Sequence, residues 1–254
     1  MTGLRRFSLG VIGAAVFVAT LIASAPASLI APALASSGGR VHYAGIEGTI
    51  WRGRILGAQV EHVSLGDVAF RLSPLSLVTL SPRATVDLAG GAVVGDADVA
   101  VGFGRRVHVR DAKLAFDLAR LARRGILGEA VTGRADLTVR DLMFGADGCV
   151  RADADIWTDV LSAQARRYGQ GDEFPMVGAA ACDGARLALS MNGEGDAGAA
   201  ALEISVAPDY TYEISATAQP VGDDIVAALL YFGFENDNGA LIYGSTGVLS
   251  GAGS

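Results

Sequence analysis

The hydrophobic positions of this chain form two patterns, a continuous apolar run near the N-terminus and short alternating segments over the rest. Residues 7–30 carry no charge, and the first charged residue after Arg6 is Arg40. A bilayer core about 30 Å thick needs about 20 apolar residues in a helix, so residues 7–30 predict a transmembrane anchor. Because Arg5 and Arg6 precede the run, the positive-inside rule predicts a cytoplasmic tip at residues 1–6 and export of everything that follows.

Two other interpretations of the apolar run stay open at the sequence level. Ala33-Leu34-Ala35 has the pattern of a signal-peptidase site, so the run is alternatively a signal peptide cut near Ala35. Against this, the run is long for the apolar region of a signal peptide, which has about 7–15 residues. Arg5-Arg6 also fits a twin-arginine export signal. All three interpretations export the body, and we expect the uncleaved anchor.

After a linker at residues 31–40, the body at residues 41–254 is dominated by alternation of apolar and polar positions. In Asp67–Leu72, every second residue from Val68 onwards is apolar, which is typical of a half-buried strand. Similar segments recur about every 8–12 residues between glycine-rich turns, as in antiparallel sandwiches, barrels and curved sheets. The predicted fold class is mainly β: a single N-terminal transmembrane helix followed by a body of curved antiparallel sheet with a few short helices.

Some segments depart from simple alternation. In Ala135–Phe144, Leu137, Val139 and Asp141 are expected to mark one face, which then changes register. The sequence Asn236-Asp-Asn-Gly239 predicts a tight turn before a last strand. Short helical segments are predicted at Pro74–Leu80 (helix or loop), Asp117–Arg124, Trp157–Tyr168 and Asp223–Phe232.

Composition and charge narrow the classes of function. Hydrophobic residues make up 51% of the chain and charged residues 19%, so a folded body is expected rather than a disordered one. The net charge is −7. Since nucleic-acid binding requires a basic face to neutralise phosphates, no nucleic-acid partner is expected.

The two cysteines, Cys149 and Cys182, form an even pair in a chain predicted to reach an oxidising compartment. A bridge between them would close a loop of about 34 residues and stabilise the fold by about 3–4 kcal/mol on the chain-entropy model. Two buried free thiols are the alternative. A metal site is disfavoured, because zinc needs four ligands, or three and water, and neither cysteine has a neighbouring histidine.

Residues able to do chemistry are sparse. His42, His62 and His108 are expected to be solvated strand histidines. Asp153 and Asp155 are predicted to share one strand face, where a solvated outer surface explains them better than acid/base work. The chain has no nucleophile elbow, Walker loop or zinc-protease motif. The sequence therefore predicts no enzyme, no cofactor and no metal.

A short motif gives the chain a family resemblance. The segment Gly48-Thr49-Ile50-Trp51-Arg52-Gly53 is similar to the Gly-Thr-[Ile/Leu]-Trp-x-Gly motif of the general secretion pathway protein N family of the type II secretion system. That family also shows a Trp-x-[Leu/Phe]-x-Pro strand end, here Phe70–Pro74 with Phe for Trp. Later it carries a cysteine, a tryptophan and a Cys-x-Gly segment. The matching residues are Cys149, Trp157 and Cys182–Gly184.

The resemblance implies an accessory structural component of the type II secretion machinery, which passes folded proteins from the periplasm across the outer membrane. It implies a single-pass protein of the cell inner membrane, with a cytoplasmic N-terminus and a periplasmic body. The partners would be other inner-membrane subunits of the machinery and the membrane itself, through the N-terminal helix.

Within the motif, Gly48, Thr49, Trp51 and Gly53 are candidate structural or partner-contact residues, and Trp51 is expected either in the core or facing a partner. Trp157 is expected in the core. The alternative function is an AsmA-like periplasmic lipid-handling groove protein, with lipid as its partner. Such a protein would leave the inward face of its strands exposed rather than sealed as a core.

Overall fold

The computed structural model of the protein describes most of the body and a short piece of the segment before it. The described residues are 20, 24–32, 41–60, 63–78, 81–102, 104, 106–121, 132–167, 173–196, 198–231 and 233–248. The predicted anchor at residues 7–30 therefore lies outside the described residues, apart from residues 20 and 24–30. Within the described ranges, no helix combines the length and the apolar character needed to span a bilayer.

The described part of the body forms one antiparallel sheet of fifteen strands whose order in space largely follows the sequence. Each strand from β3 to β12 pairs with the next strand in the chain. β1 and β2 both pair with β3, and β15 lies between β13 and β14. This confirms the mainly β antiparallel prediction. The strands are β1 Val41–His42, β2 Gly45–Thr49, β3 Arg52–Val60, β4 Val63–Leu72, β5 Arg83–Gly90, β6 Val93–Gly102, β7 Arg106–Asp117, β8 Arg134–Gly145, β9 Gly148–Thr158, β10 Met176–Asp183, β11 Arg186–Gly195, β12 Gly198–Val206, β13 Thr211–Pro220, β14 Glu235–Asp237 and β15 Ala240–Val248.

Short α-helices occur near the four segments where the sequence predicts them, with shifted ends: α1 Pro74–Val78, α2 Leu118–Leu121, α3 Val160–Arg167 and α4 Asp223–Tyr231. A 3₁₀ turn at Ala27–Ile30, inside the predicted anchor, was not expected. The predicted turn before the last strand is also confirmed. Asn238 and Gly239 connect β14 to β15 with positive φ angles of 52° and 93°, which Asn-Gly pairs favour.

The register of the ladders divides the sheet into two chemically different faces. Alternate residues of β4–β13 fall on one side, and none of these ladder positions carries a charge. We call this side the apolar face and the opposite side the polar face. Members of the apolar face include Val68 and Phe70 of β4, Val86 of β5, Val99 of β6, Val109 of β7, Leu137 and Leu142 of β8, Ile156 of β9, Ala180 of β10, Leu189 of β11, Ile204 of β12 and Ile214 of β13.

A bulge across β6–β9 keeps the apolar residues on one side. The register shifts between Asp96 and Asp98 and again between Val139 and Asp141, and Asp111 has a φ of 47°. The extra residue changes the phase of alternation, so Val139 and Leu142 share the apolar face. The predicted change of register in β8 is thus confirmed, but it comes before Asp141, which was wrongly expected on the face of Val139 and lies on the polar face.

The core is a single layer. Small residues of neighbouring strands, Ala97, Ala112, Val139 and Ala154, are buried beneath larger half-buried side chains of the same face. Among the described residues, the only large side chain with less than 2% exposure is Leu241. Two packed sheets would bury many large side chains between them. In the described part of the chain, the larger side chains of the apolar face therefore cover the alanines of the same face, and no second sheet packs on it.

Candidate functional site

The family-like motif forms the hairpin that joins β2 to β3. Thr49 pairs with Arg52, which leaves Ile50 and Trp51 as a two-residue loop, and the Thr49 hydroxyl accepts a hydrogen bond from the Arg52 N–H at 3.2 Å. Gly48 has a φ of +87°, and an added Cβ would lie 2.4 Å from the Arg52 carbonyl oxygen. The chain therefore reverses at Ile50 and Trp51, and the Trp51 side chain is half-buried.

The second motif glycine gives room to an aromatic ring. A Cβ on Gly53 would lie 2.4 Å from Cζ of Phe70 and 3.1 Å from the Ala27 Cβ. Phe70 is paired with Gly53 across β3 and β4, on the apolar face. The ring therefore packs directly on the glycine backbone, so both motif glycines meet steric demands of the fold.

The same hairpin receives the chain that leaves the N-terminal apolar run. Pro26 forms an isolated bridge with Thr49, and the Ile50 N–H donates to the Ala25 carbonyl at 3.0 Å. Ala27 is 0% exposed. Residues 25–27 are thus held on the first strands of the body, at one end of the apolar face.

The cysteines form the predicted disulfide, with the Cα atoms of Cys149 and Cys182 5.6 Å apart. The paired region of β9 and β10 ends at Ala154 and Ala180. Beyond it, the bridge joins the two strands, and the Cys149 N–H donates to the Ala185 carbonyl at 2.9 Å. The disulfide therefore holds together the part of the sheet where the β9–β10 ladder stops.

On the polar face, Arg140 lies between two carboxylates. Its guanidinium donates to Asp153 Oδ1 from Nε at 2.8 Å and also contacts both oxygens of Asp155. The hydrogen bonds from Arg140 lower the pKa of Asp155, and hydrogen bonds to Asp155 and Asp153 raise the pKa of Arg140. The prediction that Asp153 and Asp155 share a face is confirmed, and both carboxylates bind the same arginine.

A second cluster joins β7, β8 and β9. Asp141 Oδ1 lies 2.5 Å from Nε2 of His108, and Arg151 donates to Asp141 Oδ2 at 3.0 Å. These hydrogen bonds, first from His108 and then from Arg151, lower the pKa of Asp141. The expectation of a solvated histidine holds for His42, which is exposed, and was wrong for His108, which is half-buried and paired.

No local pattern in the sequence predicts the second cluster, since His108 and Asp141 are 33 residues apart. His62 lies outside the described residues. No group of three or more histidine, cysteine or acidic side chains suited to a metal ion occurs in the part of the chain that the structure describes.

Trp157 occupies a different position from the one expected. It was predicted to start a helix and lie in the core, but it belongs to β9, and α3 begins only at Val160. Its side chain is 36% exposed on the polar face, beside its ladder partner Val177, which is 58% exposed. We call Trp157 and Val177 the exposed apolar pair. Asp136, the other ladder partner of Trp157, is ion-paired to Arg134 at 3.1 Å, so the pair has a charged border.

The chain matches a known protein family. The family described as type II secretion system (T2SS), protein N, matches residues 39–242. The chain belongs to the type II secretion system protein N family. This confirms the resemblance based on the Gly48–Gly53 motif. No curated protein and no solved structure matches the chain.

In this member of the protein N family, the candidate residues do not form one site. The Gly48–Gly53 hairpin lies on β2 and β3, whereas the disulfide joins β9 and β10, six strands further along the sheet. At a strand spacing of about 4.8 Å, the separation along the sheet is about 30 Å. The structure thus presents a hairpin that holds residues 25–27, a central region joined by the disulfide, and two chemically distinct faces.

Proposed function

We propose that this protein is an accessory structural component of the type II secretion machinery in the inner membrane. The part of the apolar run that precedes Ala25 anchors it as a single pass, since residues 25–27 lie against the body. The body stands in the periplasm and contacts other inner-membrane subunits. The observation that carries the proposal is the match of the secretion family over residues 39–242. Arg5 and Arg6 before the apolar run support a cytoplasmic N-terminus, and the Cys149–Cys182 disulfide supports an exported body.

The role we propose is that of a non-catalytic scaffold. The ion pairs of Arg140 and Asp141 link neighbouring strands of the polar face, and the motif glycines give room to close backbone and ring contacts. These ion pairs and close contacts maintain the shape of the sheet. A scaffold needs a surface for its partners, and we assign that surface to the exposed apolar pair.

The exposed apolar pair has the chemistry of a partner contact. Aromatic side chains are enriched at the centres of protein interfaces, with polar residues around them. Trp157 is 36% exposed and Val177 is 58% exposed, and Asp136 and Asp155 lie beside them on the polar face. This surface faces away from the apolar side of the sheet, so a partner subunit can bind it without disturbing the core.

A secretion assay tests the proposal. A strain lacking the gene should lose export of a type II substrate to the medium, and the full chain should restore it. A Trp157→Ala/Val177→Ser variant should restore export less well than a matched Tyr210→Ala/Val221→Ser variant. The matched variant also removes one exposed aromatic and one exposed valine, at 49% and 68% exposure. Normal secretion in the deletion strain would refute the proposal.

The alternative assignment, an AsmA-like lipid-handling protein, receives no support from the comparisons, since the family that matches is the secretion family. We therefore do not assign the chain to that class.

A further inference from the structure

Three exposed arginines lie together on the polar face, at the end of the strands where the motif hairpin turns. Arg52 of β3 and Arg71 of β4 are direct ladder partners. Arg83 of β5 is diagonal to Arg71, because Arg71 pairs with Thr85, two residues further along β5. We call Arg52, Arg71 and Arg83 the arginine cluster. At ladder spacings, the Cβ atoms of the direct pair are about 5 Å apart and those of the diagonal pair about 7–8 Å apart.

The positive charges of the arginine cluster are not compensated within the described part of the chain. Glu47 and Asp98 occupy diagonal ladder positions beside Arg52 and Arg83, but no carboxylate of the described residues forms an ion pair with the cluster. Like charges directly opposite each other in a ladder destabilise a sheet. The whole chain has a net charge of −7, so three neighbouring cations are a local exception. Such exceptions to the rules of stable folds are expected at functional positions.

An exposed leucine is held between two of these arginines in the chain. The helix α1 follows β4 and precedes β5. The Ser73 N–H donates to the Arg83 carbonyl at 2.9 Å, and the Arg83 N–H donates to Oγ of Ser76 at 2.9 Å, so α1 is fixed to the start of β5. Leu75 of α1 is nevertheless 79% exposed. Basic side chains beside an exposed apolar one are typical of membrane-surface contacts, where cations bind headgroups and apolar groups enter the layer beneath.

The arginine cluster also adjoins the point where the apolar run reaches the body. The Ile50 N–H donates to the Ala25 carbonyl, Pro26 bridges to Thr49, and Arg52 begins β3 directly after the hairpin loop. In the anchored arrangement proposed above, the residues before Ala25 cross the bilayer, so the hairpin stands at the bilayer surface. The cluster spans only two strand spacings from β3 to β5, about 10 Å, and therefore lies close to the same surface.

We propose that the arginine cluster and Leu75 dock the body on the surface of the membrane that anchors it, with the guanidinium groups bound to phosphates of anionic phospholipid. Guanidinium groups bind phosphate oxygens through paired hydrogen bonds, and a phosphate beside Arg52 and Arg71 removes their mutual repulsion. An acidic polypeptide would match the charge alone. The exposed leucine and the adjacent apolar run favour a bilayer, which has hydrocarbon directly beneath its phosphates.

This inference rests on the membrane anchoring proposed above and adds the orientation of the body. The end of the strands that carries the arginine cluster faces the membrane, and the opposite end, with Val221 between β13 and α4, points away from it. The cluster belongs to β3–β5 and the exposed apolar pair to β9 and β10, so membrane docking and subunit binding use separate surfaces. The two ideas can therefore be tested separately.

The test uses the full-length protein in lipid nanodiscs of phosphatidylcholine, with or without phosphatidylglycerol, that contain a lipid spin-labelled at its headgroup. The two native cysteines are joined in the disulfide, so a fluorophore attaches only at Leu75→Cys or, in a second protein, at Val221→Cys. We expect the spin label to quench the fluorophore at position 75 in discs with phosphatidylglycerol. Quenching should be much weaker in discs of phosphatidylcholine alone or at high salt, which screens the charges. The fluorophore at position 221 should stay unquenched.

A matched pair of triple variants tests the arginines themselves. The first variant replaces all three arginines of the cluster with glutamine. The second replaces three exposed arginines at the opposite end of the strands: Arg120→Gln/Arg134→Gln/Arg166→Gln. Since each arginine close to an anionic bilayer strengthens binding about fivefold, the first variant should lower the docking constant of the body by about a hundredfold. The second variant should leave the quenching at position 75 unchanged.

Equal quenching at position 75 in the two lipid compositions, or in the two triple variants, would overturn the proposal. Binding of polyglutamate by the cluster, without quenching in phosphatidylglycerol discs, would assign the cluster to an acidic polypeptide and overturn it as well. A chain that does not stay in the discs would contradict the anchoring too, whereas an anchored chain with an unquenched fluorophore at position 75 would contradict the docking alone.

An intact Cys149–Cys182 disulfide and an unchanged melting temperature serve as the check that each variant is folded. If a triple variant fails to fold, the dependence of quenching on phosphatidylglycerol and on salt, measured with the native arginines present, decides the proposal.

Discussion

Gly53→Ala is a sensitive test of how the motif hairpin is built. The new Cβ would lie 2.4 Å from Cζ and 2.8 Å from Cε1 of Phe70, where ordinary contact begins at 3.4 Å. The ring must therefore move by about 1 Å or the two strands must separate, and overpacking of this kind costs about 1–3 kcal/mol. For a body of this size, each kcal/mol lowers the Tm by about 2–4 °C.

The matched control is Gly244→Ala. Gly244 lies in β15, and an added Cβ there would meet no atom within 4 Å. Its stability should change by no more than about 0.5 kcal/mol. Thermal unfolding of the full-length protein in detergent, followed by circular dichroism, measures both variants. Equal Tm values for Gly53→Ala and Gly244→Ala would refute the steric explanation.

A double-mutant cycle identifies the ring as the cause. Phe70→Leu removes the Cζ and Cε1 atoms that the new methyl group would meet. The penalty of Gly53→Ala should therefore be smaller in the Phe70→Leu background, by about 0.5 kcal/mol or more. The same penalty in both backgrounds would show that the ring is not responsible.

Three further predictions concern other parts of the sheet. Replacing Cys149 and Cys182 with alanine should cost about 2–5 kcal/mol in urea unfolding, and the native protein should react with a thiol reagent under denaturing conditions only after reduction. Arg140→Gln should lower the Tm most above about pH 4, because the hydrogen bond from Arg140 lowers the pKa of Asp155 in the folded state and Asp155 loses its stabilising charge only in acid. The difference in Tm between the variant and wild type should shrink as the pH falls. A difference in Tm that does not depend on pH would contradict this. Trp157→Ala should cost no more than about 1 kcal/mol, since the side chain lies on the exposed polar face; a loss of 3 kcal/mol or more, about what a buried tryptophan costs, would place it in the core.

Alternation along single strands made most of the sheet predictable. Val68, Phe70 and Leu72 repeat every second residue, and the structure places all three on one face. β10 is different, because Gly178–Ala181 is small and uncharged and gives no contrast between faces. Alternation therefore does not reveal β10, which runs from Met176 to Asp183.

The candidate site was less predictable, because it depends on register between strands. Asp141 reaches His108 only through the bulge that shifts the phase of β8, and no local pattern encodes that pairing. Trp157 lies where strand and helix signals overlap, and the strand continues to Thr158 before the helix begins. The sequence also does not predict whether the apolar face is covered, because alternation shows only that one face is apolar.

The central claim, that the body binds other type II secretion subunits through its polar face, is tested most directly by crosslinking in living cells. A photoreactive amino acid at Val177, 58% exposed beside Trp157, is compared with the same probe at Val221, 68% exposed in the turn between β13 and α4. We predict adducts with inner-membrane secretion subunits from Val177 and few or none from Val221. The absence of secretion-subunit adducts from Val177, in a protein that still restores export, would contradict the account.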